Sequence, residues 1–141
     1  LGMEVVAFDI SETCIEWCKE RFPKPAVEWL VADLAKLPEE WMGEFDLIVE
    51  IHVLQAVQKE VRKEFAKRLI PLLKPGGELL CIGRRRPEWA NEPIDEMGPP
   101  WPLKRSWLEQ WFADLFLLEY KDVTEEGEKD TIRYRARFIN S

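Results

Sequence analysis

Two acidic side chains near the start of the chain carry its clearest chemical signal, because each one closes an apolar run. Asp9 follows residues 4–8, and Asp33 follows residues 27–32. The runs predict two β-strands with a helical stretch between them, which together form a βαβ unit. Ligands bind outside the carboxyl ends of the strands in an open α/β sheet. A carboxylate there can accept both hydrogen bonds of a ribose diol, and a second can accept from an exocyclic amine, which indicates an adenosine-shaped site. The alternative is that each Asp is a solvated loop acid or a helix N-cap.

Other side chains could act on a substrate. His52, the only histidine, stands two residues after Glu50 and could be a general base, since an ordinary histidine titrates near neutrality. Alternatively, His52 is a polar residue that caps the next segment or faces water. Arg84 opens a run of three arginines that could attract an anionic substrate, or form a solvated basic loop. Trp89 and Trp101 could wall an apolar substrate, or pack their segment onto the sheet.

Composition narrows the class of protein. The 141 residues are 46% hydrophobic and 33% charged, which predicts one soluble globular domain spanning residues 1–141. The net charge of -7 argues against a nucleic-acid binder, which needs a basic face. The sequence contains neither an apolar run of transmembrane length nor a visible signal peptide. We therefore expect a cytoplasmic protein without nucleic-acid or membrane partners.

The three cysteines predict no disulfide framework, because their number is odd. Cys14 and Cys18 lie one helical turn apart, and Cys81 lies in an apolar run. We expect three buried thiols in a reducing compartment. A metal site that combines Cys14 and Cys18 with His52 is not favoured, so no metal is expected.

The remaining elements alternate between strand and helix before the pattern changes. Ser11 predicts the N-cap of a helix that runs to residue 22 and is ended by Pro23 and Pro25. Later patterns predict strands at 45–49 and 78–82, a helix over 58–73 that Pro71 should distort, and a turn at 74–77. The third predicted strand, 45–49, is nearly all apolar, as expected for a strand buried on both faces.

Residues 84–102 break this alternation and hold half of the ten prolines. A segment of this length inside a compact domain is usually functional or disordered, and its two tryptophans favour an ordered lid. A helix over 103–112 should follow, with Ser106 and Glu109 as a capping box. The chain should end in an antiparallel hairpin with strands at 115–124 and 131–139 and an acidic turn at 125–130.

Four short motifs lie at the ends of these predicted strands. They are Val5-Val6-Ala7-Phe8-Asp9-Ile10-Ser11, Val31-Ala32-Asp33-Leu34, Phe45-Asp46-Leu47-Ile48-Val49-Glu50 and Leu72-Leu73-Lys74-Pro75-Gly76-Gly77-Glu78-Leu79-Leu80. In this order they resemble the class I S-adenosylmethionine-dependent methyltransferases from that family's second strand onward. The last motif is the most specific, and the resemblance spans essentially the whole chain. It implies an α/β fold with a Rossmann-like, mostly parallel sheet that ends in an antiparallel hairpin.

The resemblance also implies roles for residues in the first half of the chain. Asp9 would hold the ribose hydroxyls of S-adenosylmethionine, and Ile10 would pack on the adenine. Asp33 would accept a hydrogen bond from the adenine amino group, and the backbone of Leu34 would contact the ring. Glu50 and Ile51 would line the methionine end and the substrate pocket.

The resemblance further implies methyl transfer to an O, N or S atom of a small molecule. Residues 98–103 resemble the lids of small-molecule methyltransferases, including the thiopurine and thiol group. We therefore expect residues 84–102 to cover the pocket, with Trp101 turned inward and Arg84 and Trp89 near the substrate. One alternative is a non-catalytic methyltransferase-like remnant that binds a partner. A less favoured alternative is an NAD-dependent oxidoreductase, because Asp9 could also grip the ribose of that cofactor.

One part of the family pattern is not found: the first strand with its Gly-rich loop should already have passed where this chain begins, at Leu1. In the family that strand lies between the strand ending at Asp9 and the strand ending at Val49. Losing it would leave unpaired backbone groups that cost about 1–3 kcal/mol each when buried. We expect this sequence to be an N-terminally incomplete part of a longer protein. The alternatives are a strand from another chain, as in a homodimer, or direct pairing of the two neighbours.

Overall fold

The computed structural model describes residues 2–23, 26–91, 98–123 and 132–141. The chain divides into two compact units, Leu1–Glu39 and Glu40–Ser141, and each is described by itself. The expectation that residues 1–141 form one N-terminally incomplete domain stays a prediction.

The first unit contains the predicted βαβ arrangement. Strand β1 (Val5–Asp9) pairs in parallel with β2 (Val27–Val31), and helix α1 (Glu12–Arg21) connects them. Ser11 caps α1 as predicted, because its hydroxyl oxygen accepts from the Cys14 backbone N–H at 3.2 Å. Pro25, expected to help end the helix, lies outside the described residues.

The thiols of α1 differ from expectation. Cys14 and Cys18 are half-buried, whereas Cys81 is buried as predicted. Within α1 only Ile15 turns fully inward, so the cysteines lie at the border of the helix's buried face.

The second unit holds a four-stranded mixed sheet in the order β3-β4-β6-β5. Strands β3 and β4 are parallel, and both pairings of β6 are antiparallel. The predicted terminal hairpin is therefore confirmed, and β6 inserts between β4 and β5. The acidic turn predicted at 125–130 lies outside the described residues. The strands are β3 (Phe45–Ile51), β4 (Leu73–Arg84), β5 (Phe116–Val123) and β6 (Arg133–Ile139).

Two expectations about these strands were wrong. The turn predicted at 74–77 is part of β4, which bends there with Gly76 at a φ of 80°. Strand β3 is not buried on both faces, although its sequence is nearly all apolar. Strand alternation places Leu47, Val49 and Ile51 on one face, and all three are exposed.

The helices of the second unit are α2 (Val53–Ala56), α3 (Lys59–Leu69) and α4 (Arg105–Trp111). Helix α3 ends at Leu69, and Pro71 lies in the 3-10 turn Ile70–Leu72, which confirms the predicted distortion. The four-residue α2 was not predicted, because one helical turn shows no periodicity. No helix in the described part of the chain combines the length and apolarity needed to cross a bilayer.

The predicted capping box of α4 does not form. Lys104 is the N-cap residue and makes no side-chain cap hydrogen bond, while Glu109 pairs with Arg105 at 2.6 Å. Glu88, from the segment before the helix, takes the capping role. Its carboxylate accepts from the Ser106 backbone N–H at 3.0 Å and from the Ser106 hydroxyl at 2.6 Å.

Candidate active site

The two candidate carboxylates of the first unit lie at one edge of its parallel pair. Asp9 is the last residue of β1 and pairs with Val31, and Asp33 follows two residues later. Asp9 Oδ1 accepts from the Ser11 N–H and Asp33 Oδ1 accepts from the Ala35 N–H, each at 2.8 Å. These bonds hold each carboxylate in a tight turn. Both side chains are exposed, so the Oδ2 atoms can bind a ligand.

An apolar surface and a backbone donor lie beside these carboxylates. Ile10 follows Asp9 and is 68% exposed, which is unusual for a large aliphatic side chain. The Leu34 side chain is buried, and its backbone N–H donates to no backbone group in the described part of the chain. Acceptors for hydroxyl and amino groups, a flat apolar contact and one donor are the groups that an adenosine needs. The first unit thus fits the expected cofactor.

Glu50 is a buried carboxylate at the end of β3. Its side chain is only 4% exposed, and Oε1 accepts from the Leu54 N–H at 3.0 Å. Oε2 is buried with no N–H or O–H partner among the described residues. Burial raises the pKa of Glu50, and hydrogen bonds from the Leu54 and Val53 backbone oppose that shift. Ile51, the next residue, is exposed.

His52 begins α2 in a left-handed conformation, with a φ of 61°. This region is uncommon for residues other than glycine, and such positions occur often at functional sites. The ring is half-buried, and Nδ1 lies 2.8 Å from Oε1 of Gln55. Gln55 is fully buried.

An open cleft of about 390 Å³ lies beside this histidine. The guanidinium groups of Arg84 and Arg133 contribute to its wall, together with two prolines of the predicted lid. Arg84 and Arg133 are direct partners across β4 and β6, so the sheet register brings them together. The cleft therefore carries positive charge around a titratable ring. Its lining residues are His52, Ala56, Arg84, Pro99, Pro100 and Arg133.

The two tryptophans of the predicted lid have different surroundings. The Trp101 N–H donates to the Gln55 carbonyl oxygen at 2.9 Å, and the Arg62 guanidinium lies 5.1 Å from the Trp101 ring centroid. Trp101 is half-buried. Trp89 is 82% exposed, so the alternative in which it packs onto the sheet was wrong. Lid residues 92–97 lie outside the described residues, and the role of Trp89 near a substrate stays a prediction.

The first unit contains the predicted residues Asp9, Ile10, Asp33 and Leu34, and the second contains Glu50, Ile51, His52, Arg84, Trp89 and Trp101. The sequence interpretation missed Gln55 and Arg133. Gln55 stands three residues after His52, a helical spacing that could have indicated contact. No sequence signal could have found Arg133, because its position depends on the register between β4 and β6.

The family of the chain follows from comparison with known proteins. The model of the methyltransferase domain family matches residues 1–77, which is more than half of the chain. The chain belongs to this family, and its class is that of the S-adenosylmethionine-dependent methyltransferases with a Rossmann-like fold. The resemblance in the sequence motifs is confirmed. The alternative of an NAD-dependent oxidoreductase is not supported, because the chain belongs to the methyltransferase domain family.

Two relatives and one solved structure illustrate the similarity. A thiopurine S-methyltransferase of Vibrio campbellii is 40% identical over 68 residues, covering 48% of this chain and 29% of that protein. A probable thiol methyltransferase 2 of Arabidopsis thaliana is 33% identical over 110 residues, covering 75% of this chain and 45% of that protein. The chain thus spans less than half the length of these relatives.

The solved structure is the N-methyltransferase NodS of Bradyrhizobium japonicum in complex with S-adenosyl-L-homocysteine. It superimposes with a TM-score of 0.70 at 18% identity, covering 96% of this chain and 65% of that one. At this identity the likeness establishes the fold, and the function has to be argued from the site.

Proposed function

We propose that the protein containing this chain transfers a methyl group from S-adenosylmethionine to an O, N or S atom of a small molecule. The observation that carries the proposal is the pair of exposed carboxylates, Asp9 and Asp33, at one edge of a parallel strand pair. Each has one oxygen held by a backbone N–H and one available to a ligand. In a chain of the methyltransferase family, this arrangement suits an adenosine.

The chain's residues would hold the cofactor at several points. Asp9 binds the ribose hydroxyls, Ile10 covers the adenine, Asp33 accepts from the adenine amino group, and the Leu34 N–H donates to the ring. The sequence resemblance assigns Glu50 and Ile51 to the methionine end, and this assignment stays a prediction. When bound, S-adenosylmethionine supplies an electrophilic methyl group on a positively charged sulfur.

The acceptor would bind in the cleft beside His52. Arg84 supplies positive charge at its wall, and Trp101 anchors the lid segment. The exposed Trp89 would add an aromatic surface near the acceptor. His52 removes a proton from the acceptor atom where that atom carries one. The thiopurine and thiol methyltransferase relatives support a small-molecule acceptor. A homodimer stays a prediction.

Thermal unfolding with ligand tests this proposal. S-adenosylhomocysteine should raise the melting temperature of the purified protein, because a ligand bound to the native state alone stabilises it by about 2.7 kcal/mol at a hundredfold excess over its dissociation constant. NAD is the matched control, since it also presents an adenosine ribose. No shift with millimolar S-adenosylhomocysteine would contradict the proposal and leave the non-catalytic alternative.

A further inference from the structure

Gln55 is a fully buried polar side chain whose amide is saturated with hydrogen bonds. Its Oε1 accepts from the Arg84 backbone N–H at 2.8 Å. Its Nε2 donates to the carbonyl oxygens of Arg84 at 2.8 Å and Trp101 at 3.0 Å. The side chain thereby joins the end of β4 to the lid segment, and it contacts His52 on its remaining side.

These bonds determine which way the amide faces. Reversing it would place the oxygen against two carbonyl oxygens and the NH₂ group against an N–H, so all three contacts would become repulsive. The atom 2.8 Å from His52 Nδ1 is therefore an oxygen. An oxygen of this kind only accepts hydrogen bonds, so Nδ1 has to carry a proton.

We propose that Gln55 is a positioning residue that holds neutral His52 as the Nδ1–H tautomer and leaves Nε2 as the proton acceptor for the cleft. The catalytic part of this inference rests on the proposed function. As the acceptor's X–H bond breaks, its proton forms a bond to Nε2 and its electron pair stays on X. The resulting imidazolium keeps its Nδ1–H bond to Gln55 and later releases the added proton to water.

The surroundings support this assignment. His52 Nε2 has no hydrogen-bond partner in the described ranges, and the ring lines the cleft with Arg84 and Arg133. Positive charge there favours the deprotonated form of an acceptor. The backbone at Gly83 leaves room for the amide, because a Cβ at that position would lie 2.7 Å from Gln55 Oε1.

Long-range ¹H–¹⁵N NMR of the ¹⁵N-labelled protein tests the tautomer directly. His52 is the only histidine, so its ring signals need no assignment by mutation. Spectra are recorded at about pH 8.5, two units above the ordinary histidine pKa, because the tautomer is a property of the neutral ring. We expect Nδ1 to resonate as a protonated nitrogen and Nε2 as an unprotonated one. The Nε2–H tautomer, or a mixture of both, in the unsubstituted protein would overturn the proposal.

Two variants separate positioning from a purely structural role. Gln55→Met removes the acceptor and should shift His52 toward a mixture of tautomers. Gln58→Met is the matched control, because Gln58 is exposed and makes no cap hydrogen bond, and it should leave the spectrum unchanged. An unchanged tautomer in folded Gln55→Met would also overturn the proposal.

Turnover provides the second readout. With an accepted small thiol as substrate, Gln55→Met should lower kcat about tenfold or more, because a histidine in the wrong tautomer cannot take the proton. The KM for S-adenosylmethionine should not change. An unchanged kcat in folded Gln55→Met would refute the positioning role. Failure of S-adenosylhomocysteine to bind would instead refute the proposed function, and the tautomer can be read without any ligand.

Discussion

The carboxylates of Asp9, Asp33 and Glu50 have different surroundings, so removing them should have different consequences. Asp9 and Asp33 are exposed at strand ends, where a charge costs little to maintain. Glu50 is buried, and one of its oxygens lacks an N–H or O–H partner among the described residues. Removing an exposed carboxylate should therefore affect binding, whereas neutralising Glu50 should affect the free energy of unfolding.

Replacing Asp9 should weaken cofactor binding without unfolding the protein. We expect Asp9→Ala to weaken the binding free energy of S-adenosylhomocysteine by roughly 1.5–3 kcal/mol, the usual range for hydrogen bonds to a charged group. Calorimetric titration measures this change. Glu20→Ala, which removes another exposed carboxylate of the same unit, is the control and should bind normally. Equal affinities of the two variants would mean that Asp9 does not hold the ribose.

Glu50 should make stability depend on pH. Burial raises its pKa in the folded state, so the native protein binds this proton more tightly than the unfolded chain does. The stabilisation of the folded state by this tighter proton binding is fully present below the ordinary glutamate pKa of about 4.3. It is lost as the pH rises through the raised value. Glu50→Gln removes the ionisation while keeping an oxygen for the Leu54 N–H.

We therefore expect the free energy of unfolding of Glu50→Gln, relative to the unsubstituted protein, to increase as the pH rises above the ordinary glutamate pKa of about 4.3, and to level off above the raised value. Urea unfolding at several pH values measures the difference. Glu60→Gln, at an exposed position of α3, is the control and should show no such trend. A difference that is constant with pH would show that Glu50 does not titrate in this range.

Two side chains, one from the lid segment and one from helix α2, join the lid segment to other elements of the second unit. Helix α4 lacks a cap from its own first residues, and Glu88 of the lid segment supplies it. Gln55 of the short helix α2 likewise binds the end of β4 and residue 101 of the lid. The helices therefore hold the lid segment through these hydrogen bonds, in addition to apolar packing.

The cap of α4 gives a prediction at this scale. Glu88→Ala should destabilise the protein by about 1 kcal/mol, the usual cost of losing an N-cap. Hydrogen bonds from Ser106 lower the pKa of Glu88, so this stabilisation is present above the ordinary glutamate pKa and is lost as the pH falls through the lowered value. Urea unfolding at neutral pH measures the loss.

Glu109→Ala is the matched control for this cap. It removes the residue of the predicted capping box, which pairs with Arg105 at an exposed position. Such pairs contribute about 0.3–0.5 kcal/mol. If Glu109→Ala lowered the free energy of unfolding more than Glu88→Ala did, the result would favour the capping box over the observed contact.

At the scale of the whole molecule, the two units differ in how much core each one holds. Within the described ranges, the buried apolar side chains of the first unit are Ile15 and Leu34, and its sheet has two strands. Two-stranded sheets are marginal by themselves. The second unit has four strands and the rest of the buried apolar side chains.

Hydrogen exchange should reflect this difference. We expect the amides of β1 and β2 to exchange faster than those of β4 and β6 without ligand, because local opening is easier where the core is small. S-adenosylhomocysteine should slow exchange in β1 and β2 most, since Asp9 and Asp33 lie at their ends. Mass spectrometry of exchanged peptides measures both effects, with NAD as control. Protection confined to β4 and β6 would place the ligand away from these carboxylates.

Local patterns in the sequence were sufficient to predict much of the fold. Alternating and continuous apolar runs predicted the parallel strands and the terminal hairpin, and Ser11 predicted the start of α1, because these features depend on nearby residues. The four motifs also led to the correct family. The carboxylates at positions 9 and 33 could be identified because strand ends are visible in the sequence.

Only the tertiary structure decided which residues surround Gln55. Gln55, Arg84 and residue 101 meet through contacts that span 29 and 46 positions, and no local pattern encodes such pairings. The cap of α4 by Glu88, the pairing of Arg84 with Arg133 and the exposure of Trp89 likewise depend on register and packing. Sequence pattern specifies elements because their forces are local, whereas long-range packing determines which side chains those elements bring together.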